Sequence, residues 1–159
     1  MMRKLRRLYR RFLASTRGMA AIEFACVLAP AFAILYGIAT FGAAFYTQQA
    51  LERAAEDGAR ATPVLTNAAL PDAQQVSNVV YDSLAASLVV PMAASQNLAA
   101  RRAWIASHVA VTVAGSALIT VSVRYPYRDN PLLPSMPLVD ASRWLPDTLL
   151  GSATLANPP

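Results

Sequence analysis

The chain opens basic, turns apolar for a long stretch, and then runs through shorter patterns of helical and alternating period. From Phe24 to Gln49 no residue carries a formal charge. About 20 apolar residues cross a bilayer core as a helix, and this run meets that length. Beyond Tyr46 comes Thr47-Gln48-Gln49-Ala50-Leu51-Glu52-Arg53-Ala54-Ala55-Glu56-Asp57-Gly58-Ala59-Arg60-Ala61, rich in strong helix formers. Leu51, Ala54, Ala55 and Ala59 form a narrow apolar stripe, the mark of a helix with one packed face. Arg53 is spaced to pair with Glu56 and Asp57, and Glu56 with Arg60. Thr62-Pro63 predicts the stop, since proline disfavours helical geometry in the residue before it. A helix from Ala20 to Ala61 would be roughly 60 Å long at 1.5 Å per residue. Within it, Pro30 lacks an N–H and crowds the carbonyl four residues back, which predicts a kink near Cys26–Pro30. Gly37 and Gly42, with Ala33, Ala39 and Ala43, give small faces suited to helix packing in lipid.

Residues 63–71 read as a linker between two prolines. Asp72 with Gln75 predicts the cap of a second helix. Val76, Val80, Leu84 and Leu88 recur every four residues with Val79 beside them, so that helix should bury one face up to Pro91. Ser95 is the expected cap of a shorter third helix through Trp104-Ile105, with Arg101-Arg102 on its wet side. The period then becomes two. Val109, Val111 and Val113 alternate with Ala110 and Thr112, and Ile119, Val121, Val123 and Tyr125 alternate with Thr120, Ser122 and Arg124. Around Ala114-Gly115-Ser116-Ala117 these runs predict an antiparallel hairpin whose apolar face lies on the helices. Pro126 to Pro146 carries five prolines and reads as loop. Leu149 to Leu155 is the candidate for a third, edge strand. The fold class is therefore α+β: a long N-terminal transmembrane helix extends into a small head. That head holds two short helices packed on an antiparallel hairpin or three-stranded sheet. The expected divisions are 1–18 (basic leader), 19–46 (transmembrane helix), 47–62 (helical extension) and 63–159 (head, with the Pro-rich loop 126–146).

Charge changes the picture only once it is placed along the chain. The formal net charge is +5, but residues 1–18 hold seven of the 14 bases and no acid. From Met19 onward seven bases face nine acids. A nucleic-acid partner inferred from the high pI would rest on the leader alone, and none is expected. The leading bases predict a cytoplasmic N-terminus, with residues beyond about 47 on the far side of the membrane. A secretory signal peptide would have an apolar region of only about 7–15 residues followed by a small-x-small cleavage site, and this run is longer.

Candidate chemistry in the head is sparse. His108 is the sole histidine and is expected to begin a strand, which leaves no histidine cluster for a metal. No Gly-rich phosphate loop occurs. Asp72, Asp82, Asp129, Asp140 and Asp147 are scattered, and Asp129-Asn130 alone makes no cation site. Trp104 and Trp144 read as core aromatics. Cys26 is the single cysteine and reads as a small buried hydrophobe. No enzymatic activity, cofactor, metal or small-molecule substrate is expected.

Glu23 stands out against this background. A carboxylate at the start of a membrane-length apolar segment is costly and needs a reason to be there. Gly18-Met19-Ala20-Ala21-Ile22-Glu23-Phe24, preceded by a basic leader, resembles the processing site of class III signal peptides, those of type IV pilins and pseudopilins. Pro30, the segment Glu56-Asp57-Gly58-Ala59-Arg60-Ala61 and the late Val121-Ser122-Val123-Arg124-Tyr125-Pro126-Tyr127 extend the likeness. Together they resemble the TadE family, minor pseudopilins of the tight-adherence (Flp, type IVb) pilus system. The resemblance implies cleavage between Gly18 and Met19 by a prepilin peptidase of the inner membrane. It also implies a role in assembling or anchoring the pilus or its secretion machine, with other pilins and platform proteins as partners. Glu23 and Phe24 would then be assembly contacts. Cleavage would create a Met19 amine able to meet the Glu23 carboxylate of another subunit. The competing expectation is an unprocessed bitopic inner-membrane protein whose periplasmic head binds an envelope partner.

Overall fold

A computed structural model describes residues 16–65, 72–91, 94, 97–115, 117–134 and 144–156. The leader through residue 15, the linker 66–71, Ser95, Ser116 and residues 135–143 of the Pro-rich stretch lie outside the described residues. The elements follow in the order α1 (Thr16–Leu65), α2 (Ala73–Ala86), α3 (Leu98–His108), β1 (Ala110–Ala114), β2 (Leu118–Tyr125) and β3 (Leu149–Ala156). The fold class is α+β, as the hydrophobic pattern predicts. The chain divides into two units, Met1–Ala39 and Thr40–Pro159.

In the first unit the described residues are all helical, and α1 continues unbroken through Pro30. Its large side chains are exposed: Ile22, Phe24, Val27, Phe32, Ile34, Leu35 and Ile38 all point into open space. A helix that is this apolar and left uncovered by the described residues belongs in lipid or in an assembly.

The second unit is organised by the stripe on the later turns of α1. Leu51, Ala54 and Ala55 are fully buried, with Ala59 close behind. At Gly58 three elements converge: a Cβ there would lie 2.6 Å from Val80 of α2 and 3.4 Å from Val121 of β2. The glycine thus sets how closely α2 and the sheet approach α1. The helix ends later than Thr62-Pro63 predicts, at Leu65. Proline in the last turn forgoes only its bond to the carbonyl of Ala59, and the Thr62 hydroxyl donates to the carbonyl of Gly58 at 3.1 Å.

Asp72 caps α2 as expected, accepting from the backbone N–H groups of Gln74 and Gln75. A further hydrogen bond from the Gln75 side chain, together with those N–H groups, holds the carboxyl below its ordinary value. Val76, Val80 and Leu84 are buried, but Leu88 is not: it is 72% exposed. The helix stops at Ala86 instead of reaching Pro91, and Ser87 turns extended with its N–H on the carbonyl of Leu84. The four-residue period is broken before Leu88 is reached. In α3 the cap is Asn97, whose side chain accepts from the N–H of Ala100 at 2.7 Å. Arg101 and Arg102 are half-buried and not on a solvated face. Arg102 reaches Asp82 and Asn78 on α2, and Arg101 donates to the carbonyl of Ser87, so their stems bridge the two helices. His108 ends α3 and does not begin a strand. Its ring stacks on Trp104 one turn back, with centroids 4.2 Å apart.

The sheet is antiparallel with β2 central, paired to β1 (Val111 opposite Val123) and to β3 (Val123 opposite Gly151). Ile119, Val121, Val123 and Tyr125 are buried in alternation, which turns one face of the hairpin onto the helices. Gly115 carries φ of 104° in the turn, a conformation that suits glycine. Trp104 packs against the core, whereas Trp144 is 74% exposed in the segment ahead of β3. Connecting segments run over the surface, and the tryptophan follows its segment there.

Candidate assembly and processing site

Gly18, Met19, Glu23 and Phe24 occupy successive turns near the start of α1. The Gly18–Met19 bond lies near the start of the described part of α1. Met19 and Glu23 are four apart and share one helix face. Met19 is 61% and Phe24 66% exposed, and Glu23 is exposed as well. Cys26 is exposed on the same helix and is not buried among the described residues, contrary to the expectation of a small buried hydrophobe. Gly18, Met19, Glu23 and Phe24, the candidate processing and assembly residues, thus lie close together and exposed in an otherwise apolar stretch of α1. Pro30 lies in the same helix, one to two turns on.

Among the described residues, one helix, spanning Gly18–Pro63, is long and apolar enough to cross a membrane. Only 6% of its most apolar window is buried within the chain. A core helix of that composition would be covered, and this one is not. Its length, composition and exposure fit membrane association.

The second unit offers polar clusters of a different kind. Arg53 makes none of the described ion pairs, while Asp57 accepts from the Ser83 hydroxyl at 2.7 Å. Glu56 and Arg60 do pair, at 3.3 Å on the surface, a contact worth little. An open groove of about 900 Å³ runs between α1 and α2, lined by Tyr46, Gln49, Arg53, Asp82 and Ser83 among others. Among the described residues no group of three or more His, Cys, Asp or Glu side chains is placed to hold a metal. His108 is engaged locally, its Nδ1 lying 2.9 Å from the Trp104 carbonyl. Asn130 belongs to packing: its carbonyl accepts from the Tyr125 hydroxyl at 2.9 Å and its side chain donates to Pro126.

Two contacts tie the base of the second unit to α1 at a single level, and the residue pattern did not point to them. The backbone N–H of Leu88 donates to the Tyr46 hydroxyl at 3.1 Å, and the Gln48 amide donates to the carbonyl of Leu150 at 2.9 Å. Glycine in the middle of a strand is a signal of close backbone approach, and Gly151 carried it. A Cβ there would lie 2.4 Å from the Leu51 backbone.

Residues 18–60 match the family model of TadE-like proteins. The likeness read from the Gly18-to-Phe24 motif and most of the Glu56-to-Ala61 segment thus holds over residues 18–60. No curated protein and no solved structure matches the chain.

Proposed function

We propose that this protein is a minor pseudopilin of a bacterial tight-adherence pilus system and acts as a structural subunit, not as an enzyme. One observation carries the reading. The TadE-like match begins at Gly18, where the basic leader gives way to an exposed apolar helix bearing a carboxylate on its second turn. In this reading α1 lies in the inner membrane with its N-terminus cytoplasmic and the Thr40–Pro159 unit periplasmic, as the basic leader directs. A prepilin peptidase cuts between Gly18 and Met19. The new Met19 amine of one subunit then pairs with Glu23 of a neighbouring pilin or pseudopilin, and Phe24 adds apolar contact beside it. The pairing offsets the cost of a charge in lipid and selects one axial register, because a slip leaves both charges alone. The subunit thereby helps to assemble or anchor the pilus and its platform.

The test is Glu23→Ala in cells that make the pilus. The variant is expected to insert and be cut normally, yet to be lost from co-isolates with the other pilins. Removing one partner of a buried pair costs about 3–5 kcal/mol, ample to abolish recovery. A processed variant that co-isolates at the wild-type level would sink the pairing.

A further inference from the structure

We propose that the Thr40–Pro159 unit docks onto the bilayer surface through Leu88 and Leu150, with Arg124, the cross-strand neighbour of Leu150, meeting anionic headgroups. This rests on the membrane-anchor reading above and adds a lipid contact made by the folded unit itself.

The starting point is a pair of exposed leucines, Leu88 out of its helical period and Leu150 on the outer face of β3. Leu88 is 72% exposed between Ser87 and the buried Val89, and Leu150 is 51% exposed between the buried Leu149 and Gly151. They come from different elements, one following α2 and one in β3. The hydrogen bonds to Tyr46 and Gln48 nonetheless hold both at the same level of α1. That level is where the apolar run of the sequence ends, at Tyr46, and where Thr47, Gln48 and Gln49 begin. Phe45 is 67% and Tyr46 42% exposed there, and aromatic rings favour the headgroup zone.

The outer face of β3 supports a bilayer as the occupant. Its exposed positions run Leu150, Ser152, Thr154, Ala156, so apolar bulk is confined to the end nearest Gln48. A protein partner lying along the strand would favour apolar bulk over its length, whereas a lipid surface meets only its end. Directly across from Leu150 on β2 is Arg124, exposed and in none of the described ion pairs. An apolar side chain with a basic neighbour is the pattern of interfacial binding to anionic lipid. Leu118 supplies an internal contrast. It is 63% exposed, but it lies at the opposite end of β2, six residues and about 20 Å from Arg124.

The experiment uses the full chain in vesicles of phosphatidylethanolamine and phosphatidylglycerol. In a Cys26→Ser background, an environment-sensitive fluorophore is attached after Ile38→Cys, Leu88→Cys, Leu150→Cys or Leu118→Cys, all at exposed positions. Lipids spin-labelled in the headgroup or deep in the acyl chain are the quenchers. The label at 38 should lose emission to the deep quencher. Labels at 88 and 150 should lose emission to the headgroup quencher, and the label at 118 to neither. Adding Arg124→Gln should weaken the loss at 150, and vesicles lacking phosphatidylglycerol should do the same. Quenching at 38 with labels at 88 and 150 as bright as that at 118 overturns the docking and leaves the anchor intact. An unquenched label at 38 overturns the anchor itself, and the docking with it.

Discussion

Tyr125 is fully buried, and its hydroxyl donates to the carbonyl of Asn130 at 2.9 Å and towards that of Val89 at 3.3 Å. Burial pushes its proton affinity well above the ordinary phenol value, and the neighbouring Tyr127 adds to the shift. The unfolded group ionises near pH 10, while the folded one resists ionisation to higher pH. Its contribution is therefore whole below about pH 10 and is lost as pH rises from there through the folded value. Thermal melts of the wild type should fall more steeply above about pH 10 than those of Tyr125→Phe. At neutral pH the same substitution should cost about 1–3 kcal/mol, because two carbonyls lose their donor. Equal alkaline slopes for the two proteins would mean that another group controls the transition. At this scale Glu23 is the opposite case: an ionisable group exposed among the described residues, which under the proposed function meets another subunit.

Among the elements, the closest packing rests on two glycines that behave differently. A Cβ on Gly151 would sit 2.4 Å from a backbone atom of Leu51, and no side-chain rotation relieves that. On Gly58 the nearest obstacle is a side-chain methyl of Val80 at 2.6 Å, and alanine there would also recover about 1 kcal/mol of helix propensity. Gly151→Ala should therefore lower stability by about 1–3 kcal/mol or more, and by more than Gly58→Ala. Chemical denaturation of the two variants checks the order, and the reverse order would mean that β3 can shift away from α1. These elements also show what could be read in advance. Leu51, Ala54, Ala55 and Ala59 on the helix, and Ile119, Val121, Val123 and Tyr125 on the strand, are periodic, and the structure buries them as their spacing requires. Leu88 has the same spacing and is exposed, because Ser87 ends the helix and periodicity does not encode that break. Asn97 took the cap expected of Ser95, and α3 outran the expected strand start to include His108. Both are boundary effects, decided by which local hydrogen bond closes the helix. Residue type alone points Trp144 to the core, and type is a weak guide where a segment runs over the surface. The candidate processing and assembly residues stand out because their signal is local: the basic residues, Gly18 and Glu23 follow one another closely in the sequence. The contacts of Tyr46 with Leu88 and of Gln48 with Leu150 join residues far apart in the chain, and no local pattern announces them.

For the molecule as a whole, one helix carries both the segment that matches TadE-like proteins and the stripe on which the second unit is built. Substitutions at Leu51, which is fully buried in that stripe, should lower the stability of the second unit. The charge distribution gives processing a physical consequence. The leader holds half of the basic residues, and its removal would leave nine acids against seven bases. It would also expose an amine four residues from Glu23, on the same helical face. The measurement closest to the central claim is the intact mass of the protein extracted from membranes of cells that make the prepilin peptidase. The proposed function predicts a product that starts at Met19, with full-length chain accumulating when Gly18 is replaced by a bulky residue. A full-length chain in the wild type would contradict it, and would leave an unprocessed bitopic anchor in its place.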